Sequence, residues 1–327
     1  MSRLRFLVIG CGSIGQRHIK NLKSLGITEL DVFDSNKQLS DHVKRKFHVN
    51  ELHSLNFDNI DCTLICTPPS SHVQLAKHAL KKGSHVFIEK PLSNSSTGLN
   101  DVSKLAKDNS LQVFVGYVFR FDAGLKKVKE LLIKNSIGNI LSFDAYEGWY
   151  LPKWRPWQDH TKSYTASEKL GGGIILDGSH ELNYLQWLGG KVNQVFSYYS
   201  KVPKLKTKTE GIAEILLSFR SKAIGRIHLD FVNPKYNRHC EIIGDEGSIR
   251  WNFDTKTIEI QKSMQTNYKI IKYGKDNNEM YLSELRYVLD CLDGKKNNLI
   301  TLSGARDTLE ASIAIKKSGK INRPVSI

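Results

Sequence analysis

Phe6-Leu7-Val8-Ile9-Gly10-Cys11-Gly12-Ser13-Ile14-Gly15 passes from four apolar residues into a G-x-G-x-x-G triplet, and Ile14 to Leu25 continues in a helical pattern. A short apolar run stopped by glycine reads as a buried strand, and strand, glycine turn and helix in that order open a βαβ unit. The glycines divide the work. Gly10 permits a tight turn, Gly12 lets backbone approach a pyrophosphate, and Gly15 lets the helix pack on the sheet. Ser13 and Ile14 begin the helix, where free N–H groups and the positive end of the helix dipole face phosphate. Asp34 ends the second strand about 20 residues on, where a carboxylate grips a ribose diol. It would also repel a 2′-phosphate, so NAD is expected over NADP, although Lys37 stands close enough to reach such a phosphate.

Outward from this stretch the same alternation repeats. Strands are expected at Leu30 to Phe33, Cys62 to Cys66, His85 to Ile88 and Gln112 to Val115, with helices at Asn36 to Lys46, Ser71 to Lys82 and Ser96 to Asn109. Strands alternating with helices predict a parallel sheet. Gly26 and Gly83 fall where helices should stop, and Ser70 and Ser95 can cap helix starts. After Gly116 the texture changes. Ala213, Ile215, Leu217 and Phe219 alternate with polar partners, as do Gly225, Ile227, Leu229 and Phe231, the period of a half-buried antiparallel sheet. The fold class is therefore α/β: a doubly wound Rossmann domain over residues 1–120, then an α+β domain with a large, mostly antiparallel sheet over 121–327. Within the latter, a Gly-, Trp- and Pro-bearing segment from Gly148 to Gly173 precedes a helix expected from Ile175 to Leu188. A segment of that length with several tryptophans predicts an ordered, substrate-facing loop. Helices at Met280 to Leu292 and Ser303 to Lys317 close the chain.

A chain of 327 residues, 40% hydrophobic and 25% charged, has the make-up of a folded globular protein with two cores. No apolar stretch approaches the roughly 18 residues of a membrane span, and no signal-peptide pattern opens the chain, so a cytoplasmic protein with no membrane partner is expected. The net charge of +15 is carried by scattered lysines without any nucleic-acid-binding motif. That argues against nucleic acid and for a solvated surface that attracts anionic ligands. Cys11, Cys62, Cys66, Cys240 and Cys291 match no zinc or redox spacing, so buried thiols and no metal are expected.

Lys90 follows the strand-like Val86-Phe87-Ile88 and precedes Pro91. In an open α/β sheet the carboxyl ends of the strands line the ligand crevice, so an ammonium there faces whatever binds.

With these residues in hand, the chain resembles the glucose-fructose oxidoreductase, inositol dehydrogenase and rhizopine-catabolism (Gfo/Idh/MocA) family. Gly10 to Gly15 with Arg17-His18 is similar to the family's opening fingerprint, and Cys66-Thr67-Pro68-Pro69 with His72 to its nicotinamide-side loop. Glu89-Lys90-Pro91, followed by Leu92, resembles its most distinctive tripeptide, and Gly116-Tyr117 with Arg120-Phe121 its crossover into the second domain. Gly171-Gly172-Gly173 through Asp177 and His180 resembles the segment that delivers the acid–base pair. The resemblance implies cofactor contacts from Thr67, Pro68, His72, Glu89 and Lys90, and substrate contacts from Lys90, Tyr117, Arg120, Trp157, Asp177 and His180. Two departures stand out. Asp177 precedes His180 by three residues where many members have four, and Asn183 stands where an acidic residue is expected.

The implied reaction is reversible hydride transfer between nicotinamide and a secondary alcohol carbon of a sugar, sugar nucleotide or cyclitol. His180 suits general acid–base work because its ordinary pKa lies near neutrality. Lys90 would stabilise the developing alkoxide, and Asp177 would orient one of the two. Asp177 also fits a helix cap, and Arg120 either a substrate anion or an interdomain salt bridge. The stretch Tyr150 to Asp159, with Tyr164 and Ser179-His180-Glu181, is similar to members from surface-polysaccharide and nonulosonic-acid sugar pathways, which implies a nucleotide sugar or an acidic sugar. Two alternatives stay open: an NAD-dependent glycoside hydrolase on this scaffold, and a non-catalytic cofactor-binding regulator. The family resemblance further implies a homodimer or homotetramer built on the open face of the second sheet.

Overall fold

The computed structural model describes residues 4–274 and 276–327. The chain forms two compact units, Met1–Val118 with Asn278–Arg306, and Phe119–Asn277 with Asp307–Ile327.

In the first unit, β1 (Arg5–Ile9), α1 (Ser13–Ser24), β2 (Glu29–Phe33), α2 (Lys37–Phe47), β3 (Asn50–Glu51), β4 (Cys62–Ile65), α3 (His72–Lys81), β5 (His85–Glu89), α4 (Leu99–Asp108) and β6 (Val113–Gly116) alternate along the chain. The six strands lie in the order β3-β2-β1-β4-β5-β6, and every pairing is parallel. Strand order reverses between β1 and β4, so the ligand crevice opens beyond their carboxyl ends. Phe6, Leu7, Val8, Leu64, Val86 and Phe87 are fully buried, which explains why these strands read as continuous apolar runs instead of alternating ones.

Gly26 and Gly83 follow α1 and α3 with φ of 89° and 81°, the left-handed conformation that ends a helix. The serine caps are corrected. A 3-10 turn, Pro69–Ser71, precedes α3, so Ser71 and not Ser70 stands before the helix. Helix α4 starts at Leu99 behind Gly98, whose φ of 79° reverses the chain later than Ser95 would.

The domain division also changes. Helix Asn278–Leu292, expected in the second domain, packs on α1: Asn21 and Asn278 exchange side-chain hydrogen bonds of 3.2 and 2.9 Å, and the Arg17 guanidinium lies 4.4 Å from the Tyr281 ring centre. Val115 N–H then donates to Ile300 C=O at 3.1 Å and Phe114 bridges Thr301, covering the β6 edge. An uncovered edge strand would expose a row of unpaired backbone groups, which gives this return a physical reason.

The second unit holds α5 (Ala123–Ile133), β7 (Ile140–Tyr150), α6 (Leu151–Trp154), α7 (Ile174–Asp177), α8 (Ser179–Gly189), β8 (Val192–Ser200), β9 (Ile212–Phe219), β10 (Ile224–Asp230), β11 (Val232–Gly244), β12 (Gly247–Asn252), β13 (Thr257–Lys262), β14 (Tyr268–Lys272) and β15 (Val325–Ser326). Its nine strands run β14-β13-β12-β11-β7-β10-β9-β8-β15, antiparallel except for the β7–β10 pair. Ala213, Ile215, Leu217 and Phe219 are buried on one face, while Leu216, Ile224 and Ile243 stand exposed on the other.

The single helix expected from Ile175 to Leu188 is two helices broken at Gly178. A Cβ on Gly178 would come within 2.8 Å of Leu229 and 2.9 Å of the Ile174 carbonyl, so this close seat against β10 requires glycine. The long segment before it is ordered, as expected: β7 continues through Trp149, and three 3-10 turns lead from His160 to Leu170.

Candidate active site

The glycine turn after β1 separates into fold requirements and one exception. Gly10 has φ of 99°, and a Cβ there would sit 2.6 Å from the Cys66 carbonyl oxygen, so the loops after β1 and β4 touch at the switch point. Gly15 would drive a Cβ to 1.9 Å from the Gly10 carbonyl oxygen. Gly12 differs: its φ is −66°, which any residue adopts, and a Cβ would meet nothing within 4 Å. Among the described residues no neighbour demands glycine there, whereas a pyrophosphate lying on the turn would. Ser13 and Ile14 begin α1 just behind it, and a helix's first N–H groups have no carbonyl a turn earlier.

Asp34 is fixed beside this turn. One carboxylate oxygen accepts from Cys11 N–H at 2.7 Å and the other from Asn36 N–H at 2.8 Å, with the side chain half-exposed. A carboxylate has about four lone-pair directions, so capacity remains for a ribose diol. Lys37, the residue that kept NADP open, is exposed in the first turn of α2. The residues at this turn fit an NAD-type dinucleotide.

Lys90 sits directly beyond β5, half-buried, and both of its neighbours are tied down. The Glu89 carboxylate meets His18 Nε2 of α1 at 2.6 Å and accepts the Lys90 N–H at 3.1 Å. Pro91 offers its carbonyl to His72 Nδ1 at 3.0 Å, while His72 Nε2 faces the Thr67 carbonyl at 2.8 Å. Burial draws the His72 pKa below its ordinary value, against the opposing pull of the two carbonyls. The family resemblance counted His72 and Glu89 among the cofactor contacts. Both side chains are buried and hydrogen-bonded within the protein. Thr67 and Pro68 remain half-exposed on the loop, with Thr67 Oγ1 bonded to Ser71 Oγ at 2.6 Å.

Behind this loop lies a buried acid. Glu284, on the helix packed against α1, is fully buried; burial and the nearby Glu89 charge push its pKa well above the ordinary carboxylate range. The same charges, after burial, raise the Cys66 thiol, and Cys11 is pushed up to about 12. All five cysteines are buried and free, as read from their spacing.

In the second unit the glycine triplet has a mechanical role that its sequence alone did not disclose. A Cβ on Gly172 would meet the Tyr164 and Thr165 carbonyl oxygens at 2.3 and 2.4 Å, and Gly173, with φ of 108°, has the Glu210 carboxylate 2.4 Å from its Cβ position. The triplet thus lets segment 163–167 press against the start of α7. Tyr164 O–H donates to Asp177 at 2.6 Å and Thr165 Oγ1 donates to its other oxygen at 2.8 Å. Asp177 is therefore no helix cap. It is the last residue of α7, with its carboxylate held by the preceding loop.

His180 lies in the first turn of α8, beyond the Gly178 break, so it and Asp177 do not share one continuous helical face. Its ring packs edge-on against Phe119 at 5.0 Å. On Phe119 also rests the Arg238 guanidinium, 4.2 Å from the ring centre; it pairs with Glu181 at 2.8 Å and with Glu147. Arg120 Nε donates to Asn183 at 2.9 Å and its guanidinium lies 5.3 Å from the Trp187 ring centre. A neutral amide serves there in place of the expected acid, and it donates onward to Thr308 at 3.0 Å. Tyr117 is buried at the end of the first unit's main segment, and Trp157 is 75% exposed on the loop.

Comparison with known proteins matches both halves of the chain. Residues 4–117 fit a family model described as an oxidoreductase family with NAD-binding Rossmann fold, and residues 125–250 fit one described as a GFO/IDH/MocA C-terminal domain. The scyllo-inositol 2-dehydrogenase (NAD(+)) of Bacillus subtilis is 25% identical over 340 residues, covering 99% of this chain and 96% of that protein. The myo-inositol 2-dehydrogenase of Thermotoga maritima is 25% identical over 348 residues, covering 99% and 98%. Among solved structures, levoglucosan dehydrogenase in complex with NADH superposes with a TM-score of 0.89 at 18% identity, covering 99% of each chain. At that identity the likeness speaks for the fold.

Proposed function

The chain belongs to the Gfo/Idh/MocA family of oxidoreductases, whose N-terminal domain is an NAD-binding Rossmann fold, and on that premise we propose that it is an NAD-dependent dehydrogenase of a secondary alcohol on a sugar, sugar nucleotide or cyclitol. The observation that carries the reading is Gly12. It is a glycine with ordinary backbone and open space where a side chain would stand, between two glycines that the fold itself demands. Asp34, held beside that turn, supports NAD over NADP.

The nicotinamide, when bound, supplies the hydride acceptor or donor. The chain's own residues then have to manage one hydroxyl proton and the charge it leaves. His180 takes the proton as general base, a role suited to an imidazole at neutral pH. Lys90 donates to the same oxygen and stabilises the alkoxide as it develops. Its fixed backbone, braced through Glu89 and Pro91, supports that assignment. Asp177, in this reading, orients one of these two groups. Tyr117, Arg120 and Trp157 complete the proposed substrate wall, with Arg120 held by Asn183.

A surface-glycan precursor, either a nucleotide sugar or an acidic sugar, is the proposed substrate class within this range; the net charge of +15 suits either anion. The exposed Leu216, Ile224 and Ile243 on the open sheet face support a homodimer or homotetramer, which sedimentation velocity would test. Among the described residues no helix is long and apolar enough to cross a membrane.

The test is direct. Lys90→Met and His180→Ala should keep NADH binding by fluorescence titration and lose about 10²–10⁴-fold in kcat with the best substrate of an inositol, hexose and nucleotide-sugar panel. Wild-type rates in either variant would remove that residue. Net NADH formation that matches product would exclude the hydrolase alternative, in which cofactor is regenerated.

A further inference from the structure

Arg155 differs from the other arginines that the fold covers in part or in full. Arg5 holds Asp31 at 2.8 Å, Arg120 holds Asn183 at 2.9 Å, Arg306 holds Asn100 at 2.7 Å, and Arg238 holds Glu181 at 2.8 Å as well as Glu147. Arg155 is half-buried too, yet among the described residues its guanidinium has neither a hydrogen bond nor an ion pair. Partly burying a charge without a counter-charge is unfavourable, and an anion from outside the chain would offset that cost. The nearest acid along the loop is engaged elsewhere: one Asp159 oxygen accepts Thr161 N–H at 3.0 Å and the Thr161 hydroxyl at 2.7 Å.

The backbone that carries this guanidinium is fixed on both sides. Before it, Trp154 stacks on Tyr236 with ring centres 5.9 Å apart and tilts against Trp149 at 5.3 Å, and Trp149 in turn meets Phe231 at 4.9 Å. Leu151 N–H donates to the Phe231 carbonyl at 3.0 Å, which anchors α6 through the main chain as well. After it, Gln158 N–H closes a turn on the Arg155 carbonyl at 3.0 Å, and His160 Nε2 meets the Leu205 carbonyl at 2.9 Å. Its surroundings are those of the second unit's proposed substrate residues. Burial and then Asp177 push the Tyr164 phenol well above its ordinary pKa while the Arg155 charge opposes them, so the guanidinium is a neighbour of that phenol. Tyr164 donates to Asp177 at 2.6 Å, and Asp177 precedes His180 by three residues. A guanidinium offers five N–H donors in a planar fork, no acceptor, and stays protonated throughout the working pH range. Two oxygens of one carboxylate or phosphate match that fork, whereas a neutral hydroxyl brings neither the charge nor the second oxygen.

We propose that Arg155 is a specificity residue: its guanidinium binds an oxyanion carried by the substrate, a carboxylate or a phosphate, and so selects an anionic sugar over its neutral counterpart. It takes no part in proton transfer. This inference rests on the dehydrogenase reading above and names the residue by which the anionic substrate proposed there is told from neutral sugars and cyclitols.

The experiment measures binding apart from turnover. Wild type, Arg155→Met and Arg155→Lys, each loaded with NADH so that no hydride moves, are titrated calorimetrically with D-glucose, D-glucuronate, glucose 6-phosphate, UDP-glucose and UDP-glucuronate. Wild type should bind at least one anionic probe about 10–100-fold more tightly than D-glucose, the effect of one or two charge-assisted hydrogen bonds. Arg155→Met should abolish that margin with D-glucose and NADH affinities within a few-fold of wild type, and Arg155→Lys should keep only part of it, because a point charge lacks the fork. The probes separate the two sources of oxyanion. A margin for D-glucuronate, and for UDP-glucuronate over UDP-glucose, marks a carboxylate; a margin for glucose 6-phosphate or UDP-glucose marks a phosphate. Should Arg155→Met be poorly folded by near-ultraviolet circular dichroism, Arg155→Lys carries the comparison. A margin that survives Arg155→Met, no margin in wild type for any anion, or a loss equally large for D-glucose and the anions would overturn the inference. NADH formation from the same sugars and myo-inositol judges the dehydrogenase reading separately. Turnover of a neutral compound alone, unchanged in Arg155→Met, would defeat the inference and keep that reading, whereas Arg155-dependent anion binding without any turnover would support the anion site and count against the reading.

Discussion

His18 Nε2 and the Glu89 carboxylate meet at 2.6 Å, so the helix that opens on the glycine turn is tied to the strand end that presents Lys90. The same carboxylate accepts the Lys90 N–H, which makes Glu89 a brace between helix α1 and the backbone of Lys90. Glu89→Ala should leave the glycine turn intact and let Lys90 drift. The expected result is a kcat lowered about 10²-fold, the cost of a misplacement near 1 Å, with an NADH Kd within a few-fold of wild type. Single-turnover hydride transfer beside NADH titration checks both numbers; a collapsed NADH affinity with normal kcat would contradict the bracing role.

Asp34 decides between the two nicotinamide cofactors in the proposed mechanism. Its carboxylate is pinned by Cys11 and Asn36, so it cannot swing away from an incoming 2′-phosphate. Asp34→Ala should narrow the preference for NADH over NADPH by about 10–100-fold, one to two charge-assisted hydrogen bonds lost on one side and a repulsion relieved on the other. Competitive Kd measurements with both cofactors provide the check, and an unchanged ratio would refute the ribose assignment.

Glu284 carries a pH signature. Its folded pKa is raised well above the ordinary value by burial and then by Glu89. For an acid with a raised folded pKa, the unfolded chain releases the proton first, so stability falls as pH rises from the unfolded value near 4.3 toward the folded one. Glu284→Gln removes that penalty. The variant should therefore gain on wild type by up to about 1.4 kcal/mol per pH unit within that window, with the gap closing near pH 4. Thermal melts across pH 4 to 8 in matched ionic strength test it; parallel curves would mean that Glu284 titrates normally.

The parallel sheet was legible because buried strands flanked by glycines leave a pattern that only a few folds share, and Gly10, Gly12 and Gly15 each had a distinct physical task. Lys90 was legible for the same reason, as a charge placed at a strand end. What escaped was tertiary. Nothing in the local pattern of Asn278–Leu292 says that its apolar face will cover α1 instead of the second sheet. Gly178 read as an ordinary helical residue because the Leu229 side chain that crowds it lies 51 positions away in the chain. Tyr164 and Thr165 were invisible as partners of Asp177, although Gly171-Gly172-Gly173 held a clue: consecutive glycines imply that some other backbone must come very close.

On the open face of the second sheet, the Tyr146 ring is stacked between His228 at 4.6 Å and His239 at 5.3 Å. His228 Nε2 meets Asp230 at 3.1 Å and its Nδ1 meets Glu214, with Tyr146 O–H also donating to Asp230 at 3.0 Å. Arg226, on β10 with His228 and Asp230, and Asp144, on β7 with Tyr146, border this group, and their side chains are half-exposed. The Asp230 bond, against partial burial, raises the His228 pKa above its ordinary value. A histidine with a raised folded pKa adds stability that is complete below the unfolded value of about 6.5 and is lost as pH rises through the folded value. His228→Gln should thus be less stable than wild type by about 1 kcal/mol at pH 5.5, a figure kept small because Glu214 is half-exposed and screened. The deficit should be smaller at pH 8 than at pH 5.5, because wild-type His228 loses its proton as pH rises through its raised folded value. Denaturant melts at the two pH values decide it: a deficit that grows with pH would reverse the sign and remove the Asp230 bond as its cause.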